Sequence, residues 1–491
     1  MLQGSRYRLA ASTMAMALLM VLNPASVLAS EASDAQINTL VDAQASSISA
    51  NALKIWSFAE IGYQEKQSSL LLQRELTKAG FKVEAGVAGM PTAFVARFRT
   101  GDGPVIALLA EYDALPGLAQ AAKPSRQEIA GARAGHGCGH NLFGAASVGA
   151  AIAIKQWMQR EGIKGEVRLY GTPAEEAGAG KVFMVRDGLF HDVDAALHWH
   201  PDSENSAAQT SSLAAVGIRY RFKGVAAHAA ASPEHGRSAL DGVELMDVAV
   251  NFMREHVPQE TRIHSIIKHG GTAPNVVPAF AESEYYIRSP KASVLEQIVD
   301  RVAKAAQGAA MATGTTVEIV LDTGVYDLLP NDTLGKLMDA KMRAVAMPHY
   351  TPAQQNFATE ISTTFDKAPY KPGSESVIQP YASGTPSMGS TDVGDISYVV
   401  PTAGVVVATF VPGTQGHSWQ AVAAGGTDIG TGGAVIAARV MAMTAAELFT
   451  DPARIAEAKA ELDRRRGADF KYVSLLGDAK PDLSYGSDSQ P

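Results

Sequence analysis

The sequence predicts an α/β fold on a largely parallel sheet, interrupted once by an inserted α+β unit. Three observations predict it. Short continuous apolar runs, at 105–110 and 404–410, have the pattern of strands buried on both faces. Such runs alternate with stretches whose apolar residues recur at helical spacing, the pattern of strand–helix–strand units. Between about 214 and 328 the pattern changes to half-buried strands in β-α-β-β-α-β order, that of a ferredoxin-like unit.

In chain order, 38–58 and 65–79 carry helical periodicity, and Gly80 stops the second helix. Strands are expected at 81–87, 92–98 and 105–110, then a buried Ala-rich helix at 142–159. Residues 166–170 and 195–199 are further buried strands, with a helix at 181–186 between them. In the inserted unit, 216–225 and 279–288 alternate as strands, 236–256 and 292–313 are helical, and 316–321 closes the set. From Pro330 the α/β pattern resumes with a helix, the strand at 404–410 and a long helix at 425–449. Residues 451–466 form a charged amphipathic helix, and the polar stretch from about Gly477 is expected to fray. The division is a leader at 1–29, one α/β domain in two parts at 30–213 and 329–491, and the insertion at 214–328.

Composition excludes several classes. With 491 residues, 46% apolar and 19% charged, the chain is globular and has ample core. A net charge of −8 argues against a nucleic-acid partner. One cysteine excludes an internal disulfide. Arg6 and Arg8, with no acid before Glu31, precede the apolar stretch 9–22, and Val27-Leu28-Ala29 offers small residues for cleavage after Ala29. The mature protein is therefore expected to be exported, periplasmic or secreted. No later segment is expected to span a bilayer.

Four segments carry chemistry. Gly135-His136-Gly137-Cys138-Gly139-His140-Asn141 precedes the buried helix, and its glycines let a thiolate and an imidazole meet at one point. The alternative is a helix-start loop with a structural cysteine. Glu175-Glu176 follows the strand at 166–170, where open α/β sheets place ligands: one carboxylate can bind a metal while the other acts as base. The alternative is a solvated acidic turn. His198-Trp199-His200-Pro201 ends another buried strand, with both histidines on one face, and His417 follows the strand at 404–410. Cys, Glu and His together suit borderline divalent ions.

These residues resemble the co-catalytic metallopeptidases that include carboxypeptidase G, aminoacylase, hippurate hydrolase and the indole-acetyl-amino-acid hydrolases. Ala110-Glu111-Tyr112-Asp113-Ala114-Leu115-Pro116 matches the family's first acidic motif, and Cys138-Gly139-His140 its amidohydrolase branch. Glu175-Glu176 matches the base and ligand pair, and the strand from Asp194 favours His200 over His198. His228 with Gly236-Arg237-Ser238-Ala239-Leu240-Asp241 matches a lid motif, Gly270 to Pro278 the lid's substrate-side loop, and His417 the last ligand. Asn141 and His198-Trp199-His200-Pro201 point within the branch to aminobenzoyl-glutamate hydrolases. Where the branch carries Glu-Asp-Phe, this chain reads Ser390-Thr391-Asp392-Val393.

The resemblance implies a zinc-peptidase-like catalytic domain with an inserted lid and dimerisation domain. It implies two divalent ions, zinc or manganese, on Cys138, His140, Glu176, His200 and His417. Glu175 would be the base, and Asp113 would orient a ligand or cap the sheet end. His228 would reach the partner's site in a dimer, or be a surface lid histidine. Asn275 and Arg288 would contact substrate. The expected reaction is metal-dependent hydrolysis of N-acyl or N-aroyl amino acids such as p-aminobenzoyl-glutamate. The alternatives are a dipeptidase or carboxypeptidase on the same scaffold, or a non-catalytic subunit. The expected partner is a second copy or a related subunit.

Overall fold

A computed structural model describes residues 24–176, 178–366 and 369–484. Most of the expected leader lies outside the described residues, and Ala29 falls within the first helix, α1 (Pro24–Asp42). Next come α2 (Ala45–Phe58), α3 (Lys66–Lys78), β1 (Lys82–Ala85), β2 (Phe94–Arg99) and β3 (Val105–Ala110). A short antiparallel pair, β4 (Leu115–Pro116) and β5 (Ala134–Gly135), leads into α4 (His140–Glu161). Then follow β6 (Glu166–Gly171), α5 (Gly180–Arg186), β7 (Ala195–Asp202) and the short β8 (Gln209–Ser211). The insertion runs β9 (Ala214–Lys223), α6 (Ala239–Met253), β10 (Arg262–His269), β11 (Phe280–Ser289), α7 (Ala292–Thr313) and β12 (Thr316–Val325). The chain then returns through α8 (Asp332–Ala344), α9 (Pro352–Ser362), β13 (Ser383–Pro386), α10 (Val393–Ser397), β14 (Thr402–Ala408), α11 (Trp419–Gly425), α12 (Asp428–Thr450) and α13 (Pro452–Arg466).

The first sheet has the order β1-β2-β6-β3-β7-β14. The four strands β6, β3, β7 and β14 pair in parallel, and β2 and β1 add an antiparallel edge. Helices α4 and α12 lie against this sheet, with α1 and α2 packed on them. Because α4 is covered by sheet and helices, apolar residues surround most of it rather than one stripe. The second sheet, β10-β11-β9-β12, is antiparallel throughout, with α6 and α7 against it and a core of its own. The fold is thus α/β with a mostly parallel sheet and a ferredoxin-like insertion.

Four sequence expectations need correction. The helix expected at 38–58 breaks at Ala43–Gln44, where Gln44 N donates to Val41 O at 2.9 Å and no Gly or Pro marks the turn. Strand β10, for which the sequence pattern gives no bounds, is an edge strand with only Ile263 buried, so it lacks half-buried alternation. One later helix, α12, is long and apolar enough to cross a bilayer, with mean hydropathy 1.4, but 89% of that window is buried within the fold. The stretch from Gly477 is fastened through 484: Arg186 donates to Ala479 O at 2.6 Å, and Gln64 to Leu483 O at 2.9 Å.

Candidate active site

The site forms at the C-terminal ends of the parallel strands. Glu111 and Asp113 follow β3, and Glu175 and Glu176 follow β6. His200 lies near the end of β7, and His417 follows β14. Cys138 and His140 arrive on the loop that starts α4. That loop needs glycine at two places. Gly139 has φ +77°, and a Cβ there would lie 2.6 Å from Pro201. A Cβ on Gly137 would lie 2.6 Å from the Leu118 side chain and 3.3 Å from the His417 backbone. Gly137 O in turn accepts from His417 N at 2.9 Å. His417 itself has φ 56°, a strained backbone for a residue with a Cβ.

Two donor groups share one atom. Cys138, His140 and His200 form one, and Cys138, Glu176 and His417 the other, each with its ligand atoms within 4.8 Å of one another. The Cys138 sulfur lies 3.3 Å from His200 Nε2, and Glu176 Oε2 lies 3.3 Å from His417 Nε2. A third group, Glu111, His140 and Glu175, meets the same spacing.

The histidines are held for coordination. His140 Nδ1 donates to Asp113 Oδ1 at 2.7 Å, and His200 Nδ1 to Pro201 O at 2.7 Å. His200 Nε2 therefore keeps its lone pair for the centre, and at His140 Nε2 a cation would take the place of a second proton. Asp113 Oδ2 accepts from Glu176 N at 3.0 Å, so one buried carboxylate aligns two donors. His140 Nε2, Glu111 Oε2 and Glu176 Oε1 are buried without a hydrogen-bond partner. Of these, His140 Nε2 and Glu176 Oε1 belong to residues of the two Cys138 groups, and an orphaned atom on such a residue fits a cation.

The electrostatics agree. Burial pushes the Cys138 thiol and the Glu175 carboxyl well above their ordinary values, and Glu176 up to about 7. Burial would lower His140, but Asp113 and Glu111 outweigh it and raise His140 well above its usual range. So many acidic groups crowded together are stable as anions only beside positive charge, which divalent ions would supply.

Of the residues singled out from sequence, Asp113, Cys138, His140, Glu175, Glu176, His200 and His417 come together here. His198 shares a face with His200 but lies against Gly404, where a Cβ would sit 2.3 Å from the ring. His228, Asn275 and Arg288 stand on the insertion. His228 pairs with Val276, Asn275 O accepts from Ala229 N at 3.0 Å, and both side chains are exposed. Arg288, on β11, lays its guanidinium 4.7 Å from the Tyr286 ring centre.

Sequence reasoning gave no role to four enclosed residues, Lys181, Glu111, Asp392 and Glu65. Lys181 Nζ lies 2.7 Å from Glu111 Oε1 and 2.6 Å from Asp392 Oδ1, and all three side chains are at most 2% exposed. The available signal was a lysine opening the apolar helical stretch 181–186. Glu65, also buried, accepts from Ala174 N at 2.8 Å and so holds the turn that carries Glu175.

Known proteins resemble this chain in sequence and fold. Residues 107–421 match the model of "Peptidase family M20/M25/M40". The chain is 41% identical over 434 residues to a p-aminobenzoyl-glutamate hydrolase subunit of Escherichia coli, covering 83% of this chain and 90% of the relative. It is 31% identical over 428 residues to the Xaa-Arg dipeptidase of Mus musculus, covering 84% and 88%. In fold it is similar to a dinuclear metal-binding peptidase of the M20 family from Bacillus subtilis, with TM-score 0.56, 18% identity and coverage of 83% and 99%. The chain belongs to peptidase family M20/M25/M40 and is a metal-dependent hydrolase.

Proposed function

We propose that this chain is an amidohydrolase that cleaves N-acyl or N-aroyl amino acids, p-aminobenzoyl-glutamate among them. Two divalent ions, zinc or manganese, would be held by Cys138, His140, Glu176, His200 and His417. The observation that carries this reading is the pair of donor groups meeting at Cys138, with Glu175 beside them. The relative of 41% identity supports the substrate class. The mixed sulfur, nitrogen and oxygen donor set suits either ion.

When bound, the ions polarise the scissile carbonyl and acidify water. Glu175 takes the proton of the attacking water and returns it to the leaving amine. Asp113 keeps His140 in the tautomer that leaves Nε2 free. From the insertion, which acts as a lid, Asn275 and Arg288 contact the substrate. Arg288 offers a fork matched to a carboxylate, and its Nε has no partner among the described residues. His228 has no contact with the donor groups in its own chain among the described residues. It therefore serves as an oxyanion donor in the site of a second copy.

A dimer is supported by the lid surface. The edge strand β10 exposes Ile266 (61%) and Ile267, and α6 exposes Leu245, Val248 and Phe252 (70%). A second copy is the occupant proposed for that surface, and a heteromer with a related subunit would appear as an additional component in the native assembly. Export is supported by Arg6, Arg8 and the apolar stretch 9–22. N-terminal sequencing of the protein from fractionated cells tests it, and an intact Met1 in the cytoplasm overturns it.

The test of function is a panel of N-benzoyl and N-acetyl amino acids, p-aminobenzoyl-glutamate and free dipeptides, with added zinc or manganese. Turnover of the acylated amino acids supports the proposal. Turnover of dipeptides alone supports the second reading, a dipeptidase, which the 31% relative favours. Bound metal without turnover identifies a non-catalytic subunit.

A further inference from the structure

The ammonium of Lys181 is enclosed between two carboxylates that come from distant parts of the chain. Asp392 grips the lysine at both ends: Oδ1 takes the ammonium at 2.6 Å, and Oδ2 takes the backbone N–H at 2.9 Å. The ammonium's other contact is Glu111 Oε1 at 2.7 Å. Glu111 Oε2 is thereby turned toward the donor groups, 3.0 Å from His140 Nε2 but without the alignment of a hydrogen bond. A Glu111 carboxylate oxygen also lies within 4.8 Å of a Glu175 oxygen.

A carboxylate this close to two catalytic-site groups has two unwanted alternatives. Rotated, it would hydrogen-bond His140 Nε2, or enter the coordination sphere in place of another donor. Holding one of its oxygens on a fixed cation removes the rotation. We propose that Lys181 is a positioning residue: anchored by Asp392, it fixes Glu111 beside His140 and Glu175 as a carboxylate that shapes the site without joining it as a ligand.

The proposal rests on the hydrolytic reading, and its test separates the two. Lys181→Met alone strands two buried carboxylates and risks misfolding. The main variant is therefore the neutral set Lys181→Met, Glu111→Gln and Asp392→Asn, which leaves no unpaired charge. Folding is checked by circular dichroism, metal per chain by elemental analysis, and ligand geometry by the visible spectrum of the cobalt-loaded protein. The expected result is wild-type metal content, a shifted cobalt spectrum, and kcat lower by about 100-fold with KM little changed. An unchanged cobalt spectrum with unchanged kcat overturns the positioning role. A shifted spectrum in a protein whose wild type hydrolyses no amide overturns the hydrolytic reading and leaves the positioning role standing.

Discussion

Cys138 belongs to both donor groups, so its loss would touch both proposed ions at once. Cys138→Ala is expected to lower bound metal per chain, measured by elemental analysis after dialysis; unchanged content would remove it as a ligand. Glu175 differs in kind. It stands beside the donors without belonging to either Cys138 group. Glu175→Gln is expected to keep its metal and lose hydrolysis by about 10²- to 10⁴-fold, the range for a general acid–base. Full activity in that variant would exclude it as the base. These residues were legible because each lies in a short motif at a strand end, bordered by glycine or proline. The Lys181–Asp392 pair was not, because its partners lie 211 positions apart and neither belongs to a pattern of metal donors. His228 shows the opposite limit. Its motif was legible, but its place on an exposed lid loop depends on what a second chain brings to it.

At the scale of elements, buried strands were easy to read and the exposed edge was not. The strands β3, β6 and β14 are apolar on both faces, so composition alone marks them. The edge strand β10 shows water a row of side chains and unpaired backbone groups on one side. Natural edges are usually blunted by charge; this one has Arg262 and Lys268 but also exposes Ile266 and Ile267, and α6 adds Phe252. Such a surface is best explained by a partner that covers it. Phe252→Glu is therefore expected to convert a dimer to a monomer in sedimentation equilibrium while the fold persists, since the residue contributes to no core in the isolated chain. Activity should fall with dissociation if His228 acts in the neighbouring site. A wild type that sediments as a monomer at micromolar concentration would sink the interface.

Across the whole molecule, a polar and aromatic cluster, called the hinge below, helps to join the insertion to the α/β domain. Tyr326, just past β12, meets Tyr398 edge-on at 5.0 Å and Tyr472 at a tilt at 5.3 Å between ring centres, and Phe470 lies tilted against Tyr398 at 5.1 Å. The segment after α13 that brings Phe470 and Tyr472 thus fastens both parts. Asp395 lies at the middle of this hinge, fully buried. It accepts from Tyr326 N at 2.9 Å and from the Tyr472 hydroxyl at 2.6 Å. Burial raises its pKa from 3.8 to about 7; the two hydrogen bonds pull it down and Asp392 pushes it further up. A carboxyl raised on folding contributes stability that is fully present below its unfolded value and lost as pH rises through the folded one. The hinge should therefore weaken between about pH 4 and pH 7, by at most about 1.4 kcal/mol per pH unit from this group. Asp395→Asn keeps an acceptor for Tyr326 N and cannot ionise. Urea unfolding of the metal-loaded protein at several pH values should show the variant gaining on wild type as pH rises from about 5 to about 8. A difference that stays constant with pH would mean that Asp395 is ionised throughout, and that the hinge is insensitive to protons.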